Sequence, residues 1–99
     1  MSPSAPPDPS EIVMPGFRGR VVGSFAGMMV VEGEIDGELA PHSASSDELA
    51  VVLSGCVEVD LAGKRMLLKA GDHLIVPAGA VHAVWSIGTV RVLLIGAAE

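Results

Sequence analysis

From Phe17 onward the apolar residues fall in short runs separated by glycine, proline and aspartate. The runs Arg18 to Ser24, Met28 to Ile35, Glu48 to Leu53, Cys56 to Leu61, Arg65 to Lys69, His73 to Val76, Val81 to Ser86 and Val90 to Ile95 read as strands. Breaks fall at Gly27, Asp36-Gly37, Ser54-Gly55, Ala62-Gly63, Gly71-Asp72, Pro77 to Gly79 and Gly88. No segment keeps a helical period, and no unit repeats along the chain. Short strands with glycine-rich turns at regular intervals predict an all-β sandwich or barrel.

The pattern also predicts faces. Val57, Val59 and Leu61 alternate with Cys56, Glu58 and Asp60, so this strand has one wet side. Leu49 to Leu53, and Val90 to Ile95 apart from Arg91, are apolar on both sides. One side of such a strand faces the core. The other needs a cover, and a second copy in a homodimer is the expected one.

Composition narrows this picture. The chain has 99 residues, enough for one domain. Residues 1–16, rich in proline and serine, are expected to form a flexible arm ahead of a barrel over 17–99. Hydrophobic residues make up 49% and charged residues 18%, far from a disordered composition. No apolar run approaches the roughly 18 residues of a membrane span. The opening M-S-P-S-A-P-P-D-P-S has no basic and then apolar stretch, so it does not read as a secretory signal. Cys56 is the sole cysteine, which excludes an internal disulfide, and a cytoplasmic setting is the default expectation. The net charge of −6 and scattered Lys and Arg argue against nucleic acid as a partner. Tyrosine is absent, so no phenol serves as acid, base or radical relay.

Against the strand map, Glu48 shares a face with Ala50 and Val52, and His82 with Val84 and Ser86. His42 stands after Pro41 at a loop boundary. If these faces point inward, a carboxylate and imidazoles enter an apolar cavity, where an isolated carboxylate is costly. A divalent metal ion is one solution, because it supplies the opposite charge and uses all three groups. Two His and one carboxylate are also the ligand set of facial-triad iron sites. A metal-free pocket in which the groups bond each other is the alternative.

The stretch G-E-L-A-P-H-S-A-S-S-D-E-L-A-V-V-L-S-G, Gly37 to Gly55, resembles the first motif of the cupin superfamily. That motif has Gly, then His-x-His, then Glu, then Gly. His42 matches the first His, Glu48 the Glu and Gly55 the closing Gly. The stretch G-D-H-L-I-V-P-A-G-A-V-H-A-V-W-S, Gly71 to Ser86, resembles the second motif, with His82 at its His. The resemblance implies a single-domain double-stranded β-helix, or jelly-roll barrel. It implies a metal site of His42, Glu48 and His82 for Fe, Mn, Ni or Zn. Three positions depart. Ala44 stands where the second His belongs, Ser86 replaces the closing Asn, and Gly37 is one residue nearer to His42 than the motif has it. Three protein ligands are therefore expected, with open positions for other molecules.

The remaining candidates read as ordinary side chains. Asp47 points to the face opposite Glu48 and reads as solvated, with replacement of Glu48 as its alternative. His73 reads as partly exposed, with a fourth ligand or a base in the cavity as its alternative. Trp85 points away from His82. Cys56 has no Lys, Arg or His beside it to activate its thiol. Two functions follow. One is a metal-dependent enzyme on a small organic molecule, for which the resemblance allows dioxygenase, isomerase, epimerase or lyase chemistry. The other is a non-catalytic small-molecule-binding or sensory module, with or without metal.

Overall fold

The computed structural model describes residues 10–97. All regular structure there is β-strand: β1 (Glu11–Met14), β2 (Phe17–Phe25), β3 (Met28–His42), β4 (Glu48–Ser54), β5 (Cys56–Leu61), β6 (Lys64–Lys69), β7 (His73–Val76) and β8 (His82–Gly96). The expected all-β class holds. Among the described residues no helix is long and apolar enough to cross a membrane.

The long strands β3 and β8 organise everything else. They pair antiparallel from Met29 opposite Gly96 to His42 opposite His82. The second edge of β8 divides. Its first part, His82 to Ser86, pairs with β5, and its last part, Arg91 to Gly96, pairs with β4. One sheet therefore runs β1-β2-β3-β8-β4-β7, and β5 with β6 extends the other end of β3 and β8 into a second layer. Val31, Ile35 and Leu39 of β3 meet Val52 of β4, Val57 and Val59 of β5, and Val84, Val90 and Val92 of β8 in one buried cluster. Branched side chains suit this half-buried pleated surface.

Two breaks expected in the sequence are bends inside strands. β3 continues past Asp36-Gly37 to His42, and β8 continues past Gly88. Gly37 and Gly88 have φ of +90° and +73°, a region that glycine enters without a Cβ clash. The β3–β8 register shifts between Asp36 and Glu38, as at a bulge. Ser86 closes it. Its Oγ accepts from the Gly37 N–H at 2.8 Å and lies 3.3 Å from the Gly37 carbonyl. The residue that replaces the motif's Asn thus holds the bend that turns β3 from one layer into the other.

The arm expected over 1–16 needs correction at its near end. Residues 1–9 lie outside the described part. Glu11–Met14 form β1, which pairs with β2, and the Val21 N–H donates to the Ser10 carbonyl at 2.8 Å. The ordered barrel therefore starts before Phe17. Ile12 of β1 packs on the core and alternates with exposed Val13, a pattern too short to stand out beside the prolines. Phe17 is buried and lies over Gly33, where an added Cβ would meet its ring at 2.5 Å. Gly33 is the space that the ring fills.

Candidate functional site

His42 ends β3 and His82 begins β8, and the register places them opposite each other. Their rings lie with centroids 4.1 Å apart, tilted by 54°. His82 is buried at 6% exposure, while His42 is exposed. Each ring is anchored in the same way. His42 Nδ1 lies 3.0 Å from the Ala40 carbonyl, and His82 Nδ1 lies 3.1 Å from the Ala80 carbonyl. A carbonyl only accepts, so both Nδ1 atoms donate, and in the neutral rings both Nε2 atoms carry lone pairs. This is the arrangement that prepares imidazoles as metal ligands.

Glu48 comes from the other layer. It begins β4 and pairs with Val76 on one side and Gly96 on the other. A Cβ added at Gly96 would lie 3.5 Å from Glu48 Cγ, so the carboxylate stem crosses the bare backbone there. His42, Glu48 and His82 all line one cavity of about 470 Å³ between the layers. Ala50, Val52 and Val84 line it too, as the alternation of β4 and β8 predicts. Ser86 does not share this wall, because its hydroxyl is used at the β3 bend. Among the described residues no three His, Cys, Asp or Glu side chains stand close enough together to hold a metal ion. The two histidines are brought together, and Glu48 stands on the β4 side of the same cavity, outside any three-residue ligand group.

Ala44 also lines the cavity, at the position where the motif has a second His. Its loop is fastened to the turn before β8. The Gly79 N–H donates to the Ala44 carbonyl, and the Ala78 N–H donates to Asp47 Oδ1, each at 2.8 Å. Asp47 thus ties the two motif loops together. Sequence reading placed it on the far face from Glu48 but gave it no partner.

His73 is exposed opposite Val51 and does not line the cavity. Cys56 is a half-buried free thiol, likewise outside the cavity wall. Trp85 lies on the outer side, where the Arg65 guanidinium sits 5.0 Å from its ring centre. The sequence missed Ile12 and Met14, which close one side of the cavity from β1.

Residues 27–96 match the family described as Cupin domain. Over 56 residues the chain is 41% identical to the uncharacterized protein YdbB of Bacillus subtilis, a match covering 56% of this chain and 47% of that protein. The chain therefore spans about half the length of this curated relative. Among solved structures it is similar to KdgF from a Halomonas species, with TM-score 0.76 and 25% identity over 89% of this chain and 84% of that one. A cupin-2 domain protein of Shewanella frigidimarina gives TM-score 0.76 at 20% identity, covering 81% and 79%. A cupin superfamily protein of Desulfitobacterium hafniense gives 0.73 at 20%, covering 98% and 94%. The double-layered β-fold, the two motifs and the match over 27–96 agree, and the chain belongs to the cupin domain family.

Proposed function

We propose that this chain is a small-molecule cupin whose cavity holds a divalent metal ion on His42 and His82, with Glu48 as the third ligand. One observation carries the reading: two facing imidazoles whose Nδ1–H groups are committed to backbone carbonyls, leaving both Nε2 atoms as ligands. Glu48 completes the set through a different side-chain rotamer, since its backbone already stands at the cavity wall. The bound ion supplies Lewis-acid or oxygen-activating chemistry. The apolar wall behind the ligands excludes water and holds the organic molecule. Fe, Mn, Ni and Zn all accept such a donor set. Elemental analysis of the purified protein, before and after dialysis against each metal, is expected to give one ion per chain. A chain that stays metal-free after reconstitution contradicts the reading.

A metal-free binding or sensory module is the second reading. It is favoured by Ala44, which cannot ligate, and by the separation of Glu48 from the histidines. The two readings share the cavity and differ only in the ion.

We further propose that a second copy covers the outer side of the β8–β4–β7 sheet. Leu53 and Ile75 are 41% and 60% exposed there, beside the outward Leu49, Val51, Leu93 and Ile95. An adjoining groove carries both signs of charge, with Arg18, Arg20 and Arg91 among Glu11, Glu32 and Glu34. Such a surface complements itself across a two-fold axis. Light scattering on a size-exclusion column is expected to give a dimer, and monomer alone at micromolar concentration contradicts it.

A further inference from the structure

The cavity wall has an uneven chemistry. Among the described residues its polar side chains are His42, Ser43, Glu48 and His82, and every other lining side chain is apolar or absent. No Lys, Arg, Asn, Gln, Thr or Tyr reaches it among the described residues. Both imidazoles have spent their Nδ1–H donors on the Ala40 and Ala80 carbonyls, so each neutral ring presents an Nε2 acceptor. The row behind the rings is hydrocarbon. Val84 follows His82 on the same side of β8, by the period of a strand. The register sets Leu39 of β3 on one flank of Val84 and Val59 of β5 on the other. All three line the cavity. A ligand head held at Nε2 therefore places its next atoms against Leu39, Val84 and Val59. An anionic head would meet lone pairs, with no cation among the described lining residues to receive it. A polyhydroxylated body would press hydroxyls on this row without partners, which is costly.

We propose that this cavity selects a neutral hydrocarbon bearing a single hydroxyl, whose O–H donates to Nε2 of His82 or His42 and whose body lies along Leu39, Val84 and Val59. The inference rests on the small-molecule reading of the same cavity and adds the ligand class. Glu48 and a metal ion take no part in these contacts. A hydroxyl supplies the donor that an Nε2 acceptor needs, whereas a ketone of the same size has none. The hydrocarbon body adds affinity with each methylene that leaves water for the valine and leucine wall. The volume of about 470 Å³ lies within the usual range for pockets that enclose small organic molecules.

The test is calorimetry on the full chain after chelation and dialysis, at about pH 8, where imidazole is neutral. Hexanol, 2-hexanone, hexanoate, ethanol and glucose are the probes. Hexanol is expected to bind about fivefold more tightly than 2-hexanone, the difference one hydrogen bond provides. Ethanol is expected to be weaker than hexanol by about thirtyfold or more, because the methylenes it lacks are buried. Hexanoate and glucose are expected to show no binding. The double variant His42→Leu, His82→Leu is expected to bind hexanol and 2-hexanone equally and still to prefer hexanol over ethanol, which also shows that it folded. The comparisons on the unaltered chain decide the proposal if the variant does not fold. The proposal falls if 2-hexanone, ethanol, hexanoate or glucose equals hexanol, if the preference for hexanol over 2-hexanone survives in the double variant, or if no probe binds. Binding of glucose or hexanoate in place of hexanol overturns the ligand class and leaves the small-molecule cavity standing. A Zn²⁺ titration of the same chain without probes separates the metal. Zn²⁺ uptake without hexanol selectivity overturns this proposal alone, and selectivity without Zn²⁺ uptake overturns the metal reading alone.

Discussion

The two walls of the cavity mouth are held in different ways. On one wall, His42 and His82 are fixed by paired strands, by contact between their rings and by two Nδ1–H bonds. On the other, Glu48 is fixed by its backbone pairing, and its stem extends over Gly96. The histidine wall is preorganised, so little ordering entropy remains to be lost when a ligand arrives. The glutamate wall contributes the carboxylate that lines the cavity. Ala44 lines the same cavity with a side chain that cannot ligate. The comparison teaches that one part of the site sets geometry and the other supplies charge.

Breaking the fixed wall should have the largest effect. His82→Ala removes a preset ligand and is expected to weaken metal binding by about a hundredfold or more, measured by competition with a chromophoric chelator. Glu48→Gln removes charge but not geometry, so its expected loss of metal affinity is smaller, about tenfold. A larger loss for Glu48→Gln than for His82→Ala would reverse the assignment of the walls. Ala44→His fills the open position and is expected to tighten metal about tenfold, by an added ligand near the fixed wall. Ser86→Ala unties the β3 bend that leads to His42 and should cost about 1 kcal/mol in denaturant unfolding. It should also loosen metal binding severalfold, since misplacing His42 disturbs the fixed wall. Asp47→Ala breaks the bond from Ala78 that links the two loops, and the expected cost is likewise about 1 kcal/mol or less, because that contact is exposed.

Much of this arrangement was legible in the sequence, for identifiable reasons. Strand alternation placed Glu48 with Ala50 and Val52, and His82 with Val84, on the cavity side, because a pleated strand has an unvarying period. The wet side of β5 followed likewise from Val57 and Val59 against Glu58. Asp36-Gly37 and Gly88 were misread as ends of strands. Their glycines do adopt left-handed backbone, but the strands continue because Ser86 satisfies the bulge from across the sheet. That bond joins residues far apart in sequence, and no local pattern encodes it. β1 escaped notice because its four residues follow a proline-rich stretch and derive their order from pairing with β2. Facing positions of His42 and His82 were implied by the motifs, whereas the reach of Glu48 depends on a rotamer that spacing does not reveal.

The central claim is that both imidazoles keep Nε2 as an open ligand. A long-range proton–nitrogen correlation spectrum of the histidines tests it directly, with only three rings to assign. His42 and His82 are expected to appear as Nδ1–H tautomers, and both Nε2 signals are expected to shift on adding Zn²⁺. His73, outside the cavity, should remain unmoved as an internal control. An Nε2–H tautomer at either ring, or Nε2 signals indifferent to saturating Zn²⁺, would contradict the account.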